Sequence, residues 1–186
     1  MYRFLLLSLF LLACSDSDHA ESPTPGESAA HAQHDARSAG SPYADETGRT
    51  IKALSVSDVE SLLQGRGMGL ARAAELNSYP GPMHALELAQ DLDLTAEQTA
   101  KVQSLMDRVK ASARAIGRTI VGEETALDQA FASGRATAQR VDESTARIAQ
   151  LSGQLRAAHL NAHVAMRDLL TAEQIARYDT LRGYSD

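Results

Sequence analysis

The chain has no tryptophan, one cysteine and only three phenylalanines among its 186 residues. Because Cys14 is the only cysteine, an intramolecular disulfide is excluded. The alternation of apolar and polar residues that is typical of strands does not appear over any length. Apolar residues instead recur three and four positions apart through the second half of the chain, which predicts an all-α fold.

Motifs that carry catalysis or bind nucleotides are also missing. There is no nucleophile elbow, no His-Glu-x-x-His and no pair of carboxylates in an apolar context. Gly65, Gly67 and Gly69 alternate with other residues, but no strand precedes them and no Lys-Ser or Lys-Thr follows. A phosphate-binding loop is therefore not expected there. We predict that the protein is not an enzyme.

Basic residues are fewer than acidic residues. The formal net charge is −6, and residues 1–50 carry three Lys/Arg against seven Asp/Glu. Residues 51–186 carry fifteen against seventeen, so this part is nearly neutral and shows no basic stripe. The charge pattern excludes the usual electrostatic footprint of a nucleic-acid-binding protein.

The N-terminus has the layout of a secretory signal peptide over residues 1–13. Arg3 precedes an apolar run from Phe4 to Ala13 that only Ser8 interrupts, and this run is too short to span a bilayer. The run ends in Leu-Leu-Ala-Cys, which resembles the lipobox of bacterial lipoproteins, so we predict lipid attachment at Cys14. The alternative is a plain signal peptide that is cleaved somewhere after Ala13, with the cysteine incidental.

Residues 14–45 are rich in serine, alanine, proline, histidine and aspartate and have no apolar periodicity. This composition predicts a disordered tether. The residue directly after the cysteine is Ser15 rather than aspartate, and in this the chain resembles lipoproteins of the outer membrane. We therefore expect a periplasmic protein anchored there through lipidated Cys14. His19, His31 and His34 could collect metal ions weakly, or could be scattered residues of a solvated tail.

Residues 46–186 are predicted to form one helical domain. Ser57 and Glu60 have the spacing of a capping box for a short helix that ends at Gln64. A second short helix is predicted over residues 68–77, and a third is predicted to begin near Pro82. These helices would flank the longer ones that follow.

Two long helices are predicted next, from Thr95 to about Ser133 and onward from Thr137. Because the turn between them is short, they must lie antiparallel as a hairpin. Gly117 and Gly122 could bend the first of them. A hairpin with only short flanking helices leaves apolar surface uncovered, and this surface must meet a second copy or a bound protein.

A five-residue stretch, Leu-Thr-Ala-Glu-Gln, occurs at residues 94–98 and again at residues 170–174. In each copy the threonine hydroxyl can cap a helix while the glutamine reaches back to the backbone N–H of that threonine. The two copies bracket the long helices, so their positions at the open end of the hairpin predict that they lie close together. The motif residues are Leu94, Thr95, Gln98, Leu170, Thr171 and Gln174.

On these paired LTxxQ motifs the chain resembles the Spy/CpxP family of periplasmic stress chaperones over roughly residues 82–184. The resemblance implies a curved, cradle-like homodimer that binds unfolded envelope proteins without ATP, and it allows a sensor kinase as a further partner. Four methionines could supply an adaptable client surface, with core packing as the alternative for the last two. They are Met68, Met83, Met106 and Met166.

The chain also resembles the nickel/cobalt sensor CnrX and the zinc-associated ZraP proteins, and three histidines fit a metal-binding alternative. His159 and His163 are four residues apart on one helix face, and an antiparallel hairpin brings them near His84. With Glu87 or a methionine, the three could hold Zn, Ni or Cu as a sensor or resistance protein would. Otherwise His159 and His163 are partly buried, hydrogen-bonded helix residues.

Overall fold

The computed structural model describes residues 41–185, and within them it is all-helical. A 3-10 turn at Ala44–Glu46 precedes six α-helices, and none of these is long and apolar enough to cross a membrane. The helices are α1 (Val56–Gln64), α2 (Arg72–Glu75), α3 (Pro82–Glu87), α4 (Ala96–Ala132), α5 (Ala138–Leu169) and α6 (Ala172–Leu181). The predicted fold class, a long hairpin with short flanking helices, is confirmed. The predicted signal peptide, lipidation at Cys14 and most of the tether lie outside the described residues.

Helices α4 and α5 form the hairpin and pack along each other. Helix α4 ends at Ala132 with Ser133 as its C-cap, and Gly134 then adopts the left-handed conformation, with φ of 69°, that glycine tolerates best. The hydroxyl of Thr137 accepts from the backbone N–H of Arg140 and caps α5. Local capping chemistry therefore sets the hairpin turn where the sequence predicts it.

The short helices before the hairpin differ from their predictions in two places. Ser55, rather than Ser57, caps α1, and its capping-box partner is Asp58. The second helix is a single turn, α2, and does not extend over residues 68–77. Met68 and Gly69 both have positive φ, at 48° and 72°, which no right-handed helix can contain.

Among the described residues, most of the buried apolar side chains belong to two clusters spaced along the hairpin. The first lies at its open end, where α3, α4, α5 and α6 meet around fully buried Tyr178 and Met166. The second lies where α1 crosses the hairpin, and it contains Leu62, Ala113, Ile120, Leu151 and Leu155. Met166 is therefore a core residue and not part of an exposed client surface, as the core-packing alternative predicts.

Gly117 is the point of closest approach between α1 and α4. A Cβ atom at this position would overlap the backbone carbonyl of Leu62, with the carbonyl carbon at 2.7 Å. Helix α4 continues unbroken through Gly117 and Gly122, so the role of Gly117 is to admit a neighbouring backbone. Gly122 has open space beside it.

Candidate functional site

The two copies of the repeated motif meet at the open end of the hairpin. Each threonine accepts from the backbone N–H of its glutamine, and each glutamine accepts from the backbone N–H of its threonine, so both capping boxes form as predicted. The Gln98 amide donates to Gln174 Oε1 at 2.8 Å, and the Gln174 amide donates to Gln98 Oε1 at 3.1 Å. We call this reciprocal pair the glutamine clasp.

The other hydrogen bonds donated by the two clasp amides go to backbone carbonyls of neighbouring segments. Gln98 Nε2 also donates to the carbonyl of Leu169 at the end of α5, at 2.9 Å. Gln174 Nε2 donates to the carbonyl of Leu92, ahead of α4, at 3.2 Å. Each amide thus uses two donors and two acceptor sites, a set that only asparagine and glutamine side chains offer. The motif glutamine is needed because both halves of its amide are engaged.

The motif leucines attach the two capped helix starts to the apolar core. Leu170 is buried in the first core cluster, and Leu94 packs against that cluster while partly buried. The motif therefore caps two helices, joins them through the clasp and anchors both to the core. In this structure its six residues have architectural roles.

A cavity of about 830 Å³ lies between the α1–α2 connection, α3, α4, α5 and the residues after α6. Its buried floor includes Pro82, Ala162 and His163. At its mouth Met68, Leu76 and Met83 are each more than 40 % exposed. Exposed apolar side chains thus border a sheltered space.

All three predicted metal ligands line this cavity, although they do not form a ready-made site. His163 donates from Nδ1 to the Tyr79 carbonyl at 2.7 Å, and His84 Nδ1 lies 2.9 Å from a Glu87 carboxylate oxygen. His159 Nε2 is buried without a hydrogen-bond partner among the described residues, so this atom is closed off from the cavity. Burial, with a smaller contribution from His163, lowers the pKa of His159 and favours the neutral ring.

Across residues 41–185, no group of three or more histidine, cysteine or acidic side chains has an arrangement that could hold a metal ion. The metal assignment of His84, His159 and His163 stays a prediction.

Glu75 is a residue that the sequence does not single out. Its carboxylate accepts from the hydroxyls of Tyr178 and Tyr184, and it lies 3.5 Å from His163 Nδ1 and 3.6 Å from Arg182 Nε. Burial, with the Glu75 hydrogen bond second, raises the pKa of Tyr178, so the phenol stays neutral and donates. Glu75 and Tyr178 are 103 positions apart, and no spacing rule could have paired them.

The described residues form a helical hairpin whose open end is closed by two copies of one capping motif. A family model described as LTXXQ motif family protein matches residues 82–182, which is more than half of the chain. The chain therefore belongs to the LTXXQ motif family. No curated protein and no solved structure shows significant similarity to it. Membership suggests a Spy/CpxP-like periplasmic stress or metal-resistance protein, from a family that is generally non-enzymatic.

Proposed function

We propose that the protein is an ATP-independent chaperone that binds unfolded envelope proteins in the periplasm. The observation that carries this proposal is the apolar mouth of the cavity, formed by exposed Met68, Leu76 and Met83. Exposed apolar groups that border a concavity are typical of interaction sites. Methionine side chains are flexible and polarisable, so they can contact many different client side chains.

Further exposed apolar side chains lie outside the cavity and support an assembly with a second copy. Phe131, Val164 and Leu181 are 60 %, 54 % and 44 % exposed and do not line the cavity. A homodimer that covers part of this surface is included in the proposal. Export and anchoring at the outer membrane through lipidated Cys14 complete it, on the strength of the N-terminal sequence.

The proposal predicts that the purified full chain suppresses aggregation of a chemically denatured client when the two are mixed in near-equal amounts. Light scattering after dilution of the client is the measurement, with no nucleotide present. Protection should be the same with and without a chelator, because client binding needs no metal. An inert protein at the same mass concentration serves as the control. Scattering equal to this control would contradict the chaperone proposal.

A metal sensor or resistance protein is the second candidate, and one observation favours it. His84 and His163 both have Nδ1 held by an oxygen, which leaves Nε2 as the atom directed to a ligand. Metal-binding histidines commonly show this arrangement, in which the second-shell oxygen orients the ring. Zn, Ni and Cu are the ions that such nitrogen ligands suit.

If this second candidate is correct, calorimetry should show about one Zn, Ni or Cu ion bound per chain. Binding should weaken as the pH falls through about 6.5, because a protonated imidazole cannot ligate. His163→Asn is the sharpest variant, since the asparagine amide can keep the donor to Tyr79 while the ligating Nε2 is lost. Absence of binding tighter than millimolar for all three ions would end the metal candidate.

A further inference from the structure

The charges around the cavity are distributed unlike those of the rest of the domain. Of the fifteen Lys/Arg in residues 51–186, five line the cavity, whereas only one of the seventeen Asp/Glu does. The five are Arg66, Arg72, Lys110, Arg114 and Arg182. The one acidic residue, Glu75, already accepts from two tyrosine hydroxyls and lies beside Arg182. The cavity is therefore a concentrated positive region in a protein whose net charge is negative.

Four of these cationic side chains are exposed at the rim, whereas Arg182 is partly buried beside Glu75. Arg66, Arg72 and Lys110 are exposed and form no ion pair with a carboxylate of the described residues. The less exposed lining is formed by Met106, Val109, buried apolar groups and neutral His159. It also contains Glu75 and Arg182, whose opposite charges lie 3.6 Å apart and offset each other. A ligand that complements both the cationic rim and the apolar lining has an apolar body and an anionic end.

We propose that this cavity binds a free fatty acid, with its acyl chain against the apolar lining and its carboxylate among the rim cations. The cavity volume of about 830 Å³ is within the range that holds one small ligand and suits a single acyl chain with one head group. Guanidinium groups bind carboxylates through paired, charge-assisted hydrogen bonds, and Arg66 and Arg72 both have this group. This inference goes beyond client binding, since it assigns the cavity a specific small-molecule ligand.

The absence of tryptophan allows a direct test on the full chain. Leu76→Trp places a single reporter at the mouth, and Phe131→Trp places a matched reporter of similar exposure away from the cavity. Dodecanoate, kept below its micellar concentration, should shift the emission of the first reporter to shorter wavelength with saturation at one ligand per chain. The second reporter should not respond. Dodecyltrimethylammonium has a hydrocarbon chain of similar length and the opposite charge, so it should give no saturable shift at either reporter.

Removing two rim charges provides the second measurement, made by calorimetry on chains without the reporters. The double variant Arg72→Gln, Lys110→Gln should weaken dodecanoate binding by about tenfold, because each charge-assisted contact contributes a fraction of the binding energy. Arg118→Gln is the matched control, since Arg118 is exposed on the same helix α4 and does not line the cavity. Equal binding of the anionic and cationic amphiphiles would overturn the proposal, as would dodecanoate binding that the double variant leaves unchanged. Absence of dodecanoate binding in a chain that still protects clients would overturn it while leaving the chaperone proposal intact.

Discussion

Replacing Gln98 with glutamate is expected to lower the free energy of unfolding by about 3 kcal/mol at neutral pH. The carboxylate can still accept from the Thr95 backbone, but it has no proton to donate to the Leu169 carbonyl or to Gln174 Oε1. Gln174 cannot compensate by turning its amide around, since its oxygen also accepts from the Thr171 N–H and its nitrogen also donates to the Leu92 carbonyl. Urea denaturation at pH 7 measures the loss.

The pH dependence of this variant separates a lost clasp from a general packing defect. The folded state disfavours the charged form, so the pKa of the new carboxyl is raised above the value of about 4.3 that it has in an unfolded chain. The deficit should therefore be full above the raised pKa and should shrink as the pH falls toward 4, where the protonated acid can donate again. Gln154→Glu, an exposed change on α5, should stay within about 0.5 kcal/mol of the wild type. A Gln98→Glu chain as stable as this control would mean that the clasp does not form.

Gly117→Ala is expected to destabilise the fold by about 2 kcal/mol, even though alanine is the better helix former by about 1 kcal/mol. The new methyl group would overlap the Leu62 carbonyl, and the atom in its way is backbone that cannot rotate aside. Helix α1 must therefore move away from α4, which opens the second core cluster around Leu62 and Ala113. Thermal or urea denaturation measures the loss.

Gly122→Ala on the same helix is the matched control for this change. Nothing lies near its Cβ position, so only the helix propensity acts and the variant should be stabilised by about 0.5 to 1 kcal/mol. The two substitutions are chemically identical and differ only in what faces them. If both stabilised the protein equally, α1 would not cross α4 at Gly117.

The parts of the fold that depend on local chemistry could be predicted from the sequence. Thr95, Thr171 and Thr137 cap helices where their side chains reach the backbone of the next turn, and Gly134 ends α4 through its own conformational freedom. The hairpin follows because its turn is too short to permit another arrangement. Ser57 was the wrong cap because Ser55 and Ser57 have equivalent side chains, and only the backbone path selects between them.

The site could be predicted in its parts but not in its connections. The sequence predicts that the motif glutamines are capping residues and that the two repeats are neighbours. The reciprocal amide pair, however, requires a register that only the packed fold defines. Likewise the three histidines do line one cavity, yet the backbone carbonyl of Tyr79 determines which nitrogen of His163 remains available. No sequence pattern identifies Glu75 as a site residue, because its partners come from α5, α6 and the chain after α6.

These results separate the role of the motif from that of the cavity. The clasp holds α4 and α6 together at the open end of the hairpin, and its amides have no hydrogen-bonding capacity left for a client. The mouth of the cavity, by contrast, presents apolar side chains that the described part of the chain leaves exposed. We therefore propose that clients bind at the mouth and that the motif supports the fold around it.

The measurement that tests this assignment most directly compares client protection by two double variants of equal chemistry. Leu76→Gln, Met83→Gln removes apolar groups at the mouth, and Phe131→Gln, Val164→Gln removes groups of similar exposure elsewhere. Both are surface changes, so each variant should keep its unfolding free energy within about 1 kcal/mol of the wild type. We expect the mouth variant to lose most of its suppression of client aggregation and the second variant to retain it. Full protection by the mouth variant, or equal losses in both, would contradict the assignment.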